Sequence, residues 1–414
     1  MIKTPIPPQT VHKDAGYWGP VLMMVATLIA YVDRQALAVL SPMILKDTGL
    51  SAGTFGDALS AFSVAYMLSN PVWGSLLDFV GLRWGMAIAV GLWTLSSMSH
   101  AWVVGAVTLF IARTTLGVFE GAGFPGCMKM ANDCLPPLQR SRAVAVGYSG
   151  AASGSLVAPL AVTPLALAFG WRAAFWVTGG LGMLWLVWWY FMAKPPRVPV
   201  RPPAAGSKIQ LPNPFDRRFW LVVFTYGTGA VALGVVGYLS PLYLNRSLGL
   251  SQKELGYILW IPTVGWLVGY FVWGWVSDRI VKDDPRPVKT LLLLSALALP
   301  VMFVTQFHTW PVVVAFLFWA LFVADGFIVM GLHIGARVYG KDQSGMAGGI
   351  ATGSWGAVLA ILLPIYGRLI DSRNFSAIFI SMSLLPLAGT LVWLWLSKPW
   401  ASQRRPTGLS AEVS

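Results

Sequence analysis

The chain has 414 residues, of which 56% are hydrophobic and 11% charged, and its formal net charge is +13. Its mean hydropathy is +0.66. A soluble surface of this size takes about a quarter charged residues, so the composition excludes a water-soluble globular protein and leaves lipid as the solvent.

Residues 1–16 are polar and proline-containing, with no apolar core ahead of a small-residue cleavage site, so no removable signal peptide is expected. Apolar stretches long enough to cross a bilayer core, roughly 20 residues each, follow at 17–43, 54–78, 84–103, 106–132, 140–165 and 170–193. A second group lies at 218–244, 253–279, 288–307, 311–337, 343–369 and 375–397. The runs are continuous rather than alternating, which predicts helices. The reading is an all-α membrane protein with twelve transmembrane helices in two six-helix halves, 1–193 and 218–414. Between them, 194–217 carries Pro195, Pro196, Pro199, Pro202 and Pro203 among basic residues and reads as a cytoplasmic linker. With the amino terminus inside, the inward-facing connections hold most of the 29 Lys and Arg residues, which places both termini in the cytoplasm. The positive charge is therefore a topology signal and not a nucleic-acid surface. Trp18, Trp102, Trp171, Trp310 and Trp400 fall at expected interfaces. Cys127 and Cys134 lie toward the inner half of one helix, where reduced thiols are expected.

The halves echo each other. The second helix ends in Trp73-Gly74-x-x-x-Asp78 and the eighth in Trp273-Gly274-x-x-x-Asp278, at the same inner face. Internal repeats of this kind mark secondary transporters. Helices five and eleven carry Gly150-x-x-x-Gly154 and Gly349-x-x-x-Gly353, which permit close helix approach or allow flexing during gating. After helix two, Asp78 and Arg83 bracket a tight turn at Gly81, where they can pair with each other or with a neighbouring helix end. The loop from Gly74 to Arg83 resembles the Gly-x-x-x-Asp-x-x-Gly-x-Arg signature of the major facilitator superfamily, with Trp84 where that family has another basic residue. The second copy keeps Gly274, Asp278 and Arg279 but lacks the middle glycine. The resemblance implies that Asp78, Gly81, Arg83, Asp278 and Arg279 latch an inner gate.

Charged residues inside the spans are costly and functional by default. Helix one carries Tyr31-Val32-Asp33-Arg34, and Tyr31 and Arg34 share a helix face. Helix four carries Arg113 and Glu120; seven residues turn a helix about 700°, so both project from one face roughly 10 Å apart. The four charges sum to zero. A carboxylate captured by Arg34 leaves the site at a buried net charge of −1, which is disfavoured, so a proton is expected to accompany the anion. Asp325, near the middle of helix ten, is a further proton site, a partner for a substrate hydroxyl or ammonium, or an acid bonded to a neighbouring helix. His333 reads as structural or loop-facing.

Tyr31-x-Asp33-Arg34, together with Arg113-x6-Glu120 and the following Gly121-Ala122-Gly123-Phe124-Pro125, resembles the anion:cation symporter family. That branch includes bacterial hexuronate and hexonate importers and eukaryotic sialic-acid and vesicular glutamate carriers. The likeness implies that Arg34 binds the substrate carboxylate, with Tyr31, Tyr66, Thr352 and Trp355 also at the substrate. It further implies that Asp33 and Glu120 carry protons while Arg113 switches between them. Ser149, Ala151 and Ser153 stand where sugar-acid members often have an amide. The function expected is proton-coupled import of a small organic anion, a sugar acid such as a hexuronate or hexonate, by a monomer in a bacterial inner membrane. An exporter or drug antiporter on the same fold is the alternative. No cofactor, metal or nucleic-acid partner is expected, and four scattered histidines without a Walker loop or Gly-x-Ser-x-Gly argue against an enzyme. Gly121-x-Gly123-x-x-Gly126 interrupts a membrane helix instead of following a strand, so it does not signal a dinucleotide.

Overall fold

The structure is a computed structural model that describes residues 18–195, 198, 212–282, 284, 286–339 and 344–402. The amino-terminal tail, most of the expected linker and the carboxyl-terminal tail lie outside the described residues. Every regular element among the described residues is helical. In chain order they are α1 (Trp18–Val39), α2 (Ser41–Thr48), α3 (Ala52–Val80), α4 (Leu82–Ser99), α5 (Ala106–Glu120), α6 (Gly123–Cys134), α7 (Pro137–Phe169) and α8 (Trp171–Met192). They continue with α9 (Arg217–Gly234), α10 (Ser240–Leu248), α11 (Gln252–Ile258), α12 (Trp260–Val276), α13 (Val288–Ala298), α14 (Trp310–Tyr339), α15 (Ser344–Asp371) and α16 (Phe375–Ser402). Short 3-10 turns extend α4 over His100–Trp102 and α13 over Leu299–Gln306, and π turns follow α9 at Val235–Leu239 and α12 at Ser277–Val281.

Among the described residues nine helical stretches are long and apolar enough to cross a membrane. The expected spans 54–78, 84–103 and 106–132 are not among them. The last of these is broken at Gly121-Ala122 into α5 and α6, so Glu120 is the final residue of a helix rather than the middle of one. Discontinuous membrane helices of this type form binding sites in transporters.

Chain contacts divide the protein into two compact units: Met1–Gly49 with Val64–Ile209, and Leu50–Ser63 with Gln210–Ser414. The amino end of α3 groups with the second unit for a specific reason. The Asp371 carboxylate at the end of α15 accepts from the backbone N–H of Ala52 (2.9 Å) and Gly53 (2.7 Å), filling the donors a helix start leaves unpaired. Arg246 pairs with the same carboxylate at 3.0 Å.

In the first unit α7 lies directly along α1. A Cβ at Gly150 would overlap Met24 O and Thr27 Oγ1, and one at Gly154 would overlap Leu28 O, so this Gly-x-x-x-Gly pair is what lets the helices meet. Thr27 seals the contact by donating to Gly147 O at 2.6 Å. Gly349 of the second pair differs, because a Cβ there would meet open space among the described residues. There α9 supplies the glycine: Gly227 faces Val358 and Ser354 of α15.

Candidate functional site

The first unit gathers six of the residues picked out by sequence. Arg34 is 2% exposed, and its Nη2 and Nε donate to Glu120 Oε2 at 2.7 and 3.1 Å. Its guanidinium also lies over the Tyr31 ring, 4.5 Å from the centroid, and over the Tyr66 ring at 4.7 Å. Two aromatic faces and a carboxylate therefore hold one cation, and the α5 break sets the position of the carboxylate. Tyr31 is fixed in turn by an edge contact with Phe124 at 6.4 Å, while Phe124 packs on Tyr148 at 4.5 Å. Gly154 allows α7 to close against the Tyr31 side chain.

Asp33, next in the chain, points elsewhere. It is buried and faces the hydroxyls of Ser97 on α4 and Thr178 on α8, with the Glu120 carboxylate in electrostatic range. Neither of its oxygens reaches hydrogen-bond geometry with a described residue. Arg113 is fully buried one helical face along α5 from Glu120, and both Glu120 and His100 feel its charge. The first unit thus buries two acids and two bases, with one ion pair closed and the second acid set between hydroxyls.

The loop after α3 has a different partner from those the turn suggests. Gly81 adopts φ +84°, a conformation that favours glycine. Asp78 pairs not with Arg83 but with Lys129 of α6 at 2.7 Å, and Lys129 also reaches Asp133 at 3.2 Å. Arg83 lies over the rings of Trp84 and Tyr190, and its carbonyl accepts from Trp189 at 2.9 Å. In the second copy Val281 stands at the place of the missing glycine, the positive φ falls one residue later at Lys282 (+44°), and Asp278 and Arg279 are exposed.

In the second unit, Thr352 and Trp355 lie one turn apart on α15 and are half-buried, and Thr352 donates to Gly348 O at 2.7 Å. Asp325 on α14 is fully buried. It packs on Gly269 of α12 and faces the Trp266 indole, and among the described residues neither its oxygens nor Trp266 Nε1 reaches hydrogen-bond geometry. His333 bonds to Ser277 Oγ at 3.2 Å and to Asp284 O at 3.1 Å, a loop-anchoring role. Sequence reasoning missed Lys129, whose signal was the Asp133 one turn on, and His100, which only its place beside Ser96-Ser97 sets apart.

A model of the Major Facilitator Superfamily matches residues 23–332. The chain is 26% identical to a D-galactonate transporter of Escherichia coli O6:H1, over 92% of its own length and 95% of that protein. It is 30% identical to a probable L-galactonate transporter of Escherichia coli K12, over 69% of its length and 68% of that relative. The crystal structure of a bacterial homolog of the human lysosomal transporter Spinster, inward-facing and unoccupied, superposes with a TM-score of 0.79 at 13% identity. That match covers 96% of this chain and all of the other.

Proposed function

The chain belongs to the Major Facilitator Superfamily, and from that premise we propose that it is a proton-coupled importer of a small organic anion, a sugar acid of the hexonate or hexuronate type. The relatives named as galactonate transporters support the substrate class. The observation that carries the reading is the buried Arg34, held by two tyrosine rings and paired with Glu120. A guanidinium matches a carboxylate bidentately, and tyrosine faces suit the C–H surface of a sugar acid.

The coupling follows from charge. When a substrate carboxylate takes Arg34, Glu120 loses its ion-pair partner and the buried site gains one negative charge. Neutralising Glu120 or Asp33 with a proton restores the balance, and Arg113 is the cation that can face either acid. Thr352 and Trp355 are assigned to substrate contact, and Asp78, Gly81, Arg83, Asp278 and Arg279 to the gate that alternating access needs. Asp325 is a candidate for a second proton. The working unit is a monomer in a bacterial inner membrane with both termini cytoplasmic.

Uptake of labelled hexonates, hexuronates and simple monocarboxylates into proteoliposomes, with and without an inward proton gradient, tests this directly. The expected result is gradient-stimulated accumulation of a sugar acid, which Asp33→Asn and Glu120→Gln each uncouple. Failure to take up any carboxylate would sink the reading.

A further inference from the structure

Arg83, on the first turn of α4, and Lys194, just past the end of α8, are drawn to one ring. The Arg83 guanidinium lies 5.8 Å from the Tyr190 centroid and 5.1 Å from that of Trp84. Lys194 Nζ lies 5.1 Å from the Tyr190 centroid and 5.3 Å from that of Phe191. Ring faces attract a cation but leave its N–H donors largely unfilled. Among the described residues neither side chain forms an ion pair or donates a hydrogen bond. The acid closest to Arg83 in sequence, Asp78, is taken by Lys129 at 2.7 Å. Gly81 brings no side chain to cap α4, so the first-turn N–H groups add partial positive charge at the same end.

The second unit shows what such a cation does when the protein itself uses it. The loop at the same point of the repeat carries Arg286 ahead of α13. Its Nε donates to Ser397 Oγ of α16 at 2.8 Å and its Nη2 to Leu394 O at 3.3 Å. Arg83 has only its backbone held in this way, its carbonyl accepting from Trp189 of α8. The first unit fixes the chain at this point and keeps the guanidinium donors for something else.

The surroundings of the pair are apolar. Trp171–Met192 is long and apolar enough to cross a membrane, so Lys194 stands at the membrane boundary, with Trp84 and Tyr190 exposed in the aromatic belt. Exposed apolar residues continue from there toward the middle of each helix, Ile88 and Leu95 on α4 and Val187 and Leu184 on α8. The two helices touch where Gly179 and Gly182 of α8 meet Met98 and Thr94 of α4.

A ligand that satisfies both features carries an anionic head and an apolar tail. We propose that Arg83 and Lys194 form a docking site for an anionic phospholipid of the phosphatidylglycerol type. Its phosphodiester lies between the two cations, and its acyl chains run along the exposed faces of α4 and α8. A zwitterionic headgroup would bring an ammonium toward two cations that no acid neutralises, so net negative charge is selected.

Titration of the purified protein with phosphatidylglycerol or phosphatidylcholine, read by native mass spectrometry, tests the site. Arg83 is also assigned to the gate, so the readout is binding and not transport. Wild type is expected to hold phosphatidylglycerol more tightly than phosphatidylcholine. Lys194→Gln and Arg83→Gln should each lower that affinity roughly fivefold, the effect of one basic residue near an anionic lipid surface. Arg83→Lys keeps the charge and should keep most of the affinity. Lys194 is exposed, so its variant carries the test even where Arg83→Gln fails to fold. Lys289→Gln removes an equal charge from the exposed start of α13 and should change nothing. A loss as large in Lys289→Gln as in Lys194→Gln would reduce the preference to net charge and overturn the site. Equal affinity of wild type for the two lipids would overturn it as well. Displacement of the lipid by water-soluble glycerol phosphate at matched concentration would make this a site for free anions and overturn the lipid assignment.

Discussion

Trp73 in the first unit and Trp273 in the second hold the same place in a repeated pattern, and each indole clamps another helix of its own unit. Trp73 Nε1 donates to Val118 O at 2.6 Å and Trp273 Nε1 to Phe322 O at 2.8 Å. Each indole also packs on a phenylalanine of the clamped helix, Phe119 and Phe322. The residues just beyond those carbonyls differ. In the first unit the helix breaks after Glu120, and its carboxylate closes onto Arg34. In the second, α14 runs on unbroken past Asp325, which faces an indole and a glycine. The indole clamp occurs twice, and the buried ion pair, among the described residues, once. A repeat preserves backbone-to-side-chain contacts that hold helices together, while the ionisable groups are free to diverge because each needs its own partner.

The largest expected effect breaks the charged half of this comparison. Arg34→Ala leaves Glu120 as an uncompensated buried charge, a loss of about 3–5 kcal/mol. Thermal unfolding in detergent should show that destabilisation, and adding Glu120→Gln should restore most of it. Uptake in the double variant should stay at background, because the proposed anchor for the substrate carboxylate is still missing. A double variant that transports would separate Arg34 from substrate.

The helix-packing half is sharper to test because the glycine pairs look alike in sequence. Gly150→Ala drives a methyl into Met24 O and Thr27 Oγ1 and is expected to cost about 1–3 kcal/mol of stability, the range for overpacking. Gly349→Ala enters open space and should be neutral within about 0.5 kcal/mol. Equal losses in the two variants would mean that the pairs do the same work. At the low end of the Gly150→Ala range are Trp73→Phe and Trp273→Phe, each removing one indole hydrogen bond worth about 1 kcal/mol. Matched losses in thermal unfolding would show the clamps to be equivalent, and a gap between them would assign one to gating.

What could be read from the sequence divides along the same line. Nine of the twelve spans, the repeat and the burial of the Tyr31-x-Asp33-Arg34 and Arg113–Glu120 sets were legible because each depends on local spacing or on the price of burying charge. Helical phase also separates Asp33 from Arg34, as the structure has it. Partners drawn from distant segments were not legible: Asp78 meets Lys129 across 51 positions, and Arg113 lies in electrostatic range of His100 from another helix. Gly349 shows the same limit, since a small-residue motif marks where a helix can be approached and not whether one comes.

Asp325→Asn carries the smallest expected effect on transport and decides how far the asymmetry extends. The substitution keeps the shape of the side chain and removes its ability to ionise. Trp266 can donate only one hydrogen bond to either side chain, and among the described residues no cation forms an ion pair with Asp325. A carboxyl that lacks a cation to exchange can load a proton but cannot pass a charge imbalance to substrate, the role proposed for Glu120 through Arg34. Gradient-driven uptake by Asp325→Asn is therefore expected to stay within about threefold of wild type, a change of less than 1 kcal/mol in barrier height. The number of protons moved per substrate, measured from the reversal potential, would fall by one if Asp325 loads the second proton and stay fixed if it does not. Uptake lost as deeply as in Glu120→Gln would place a coupling step in both units.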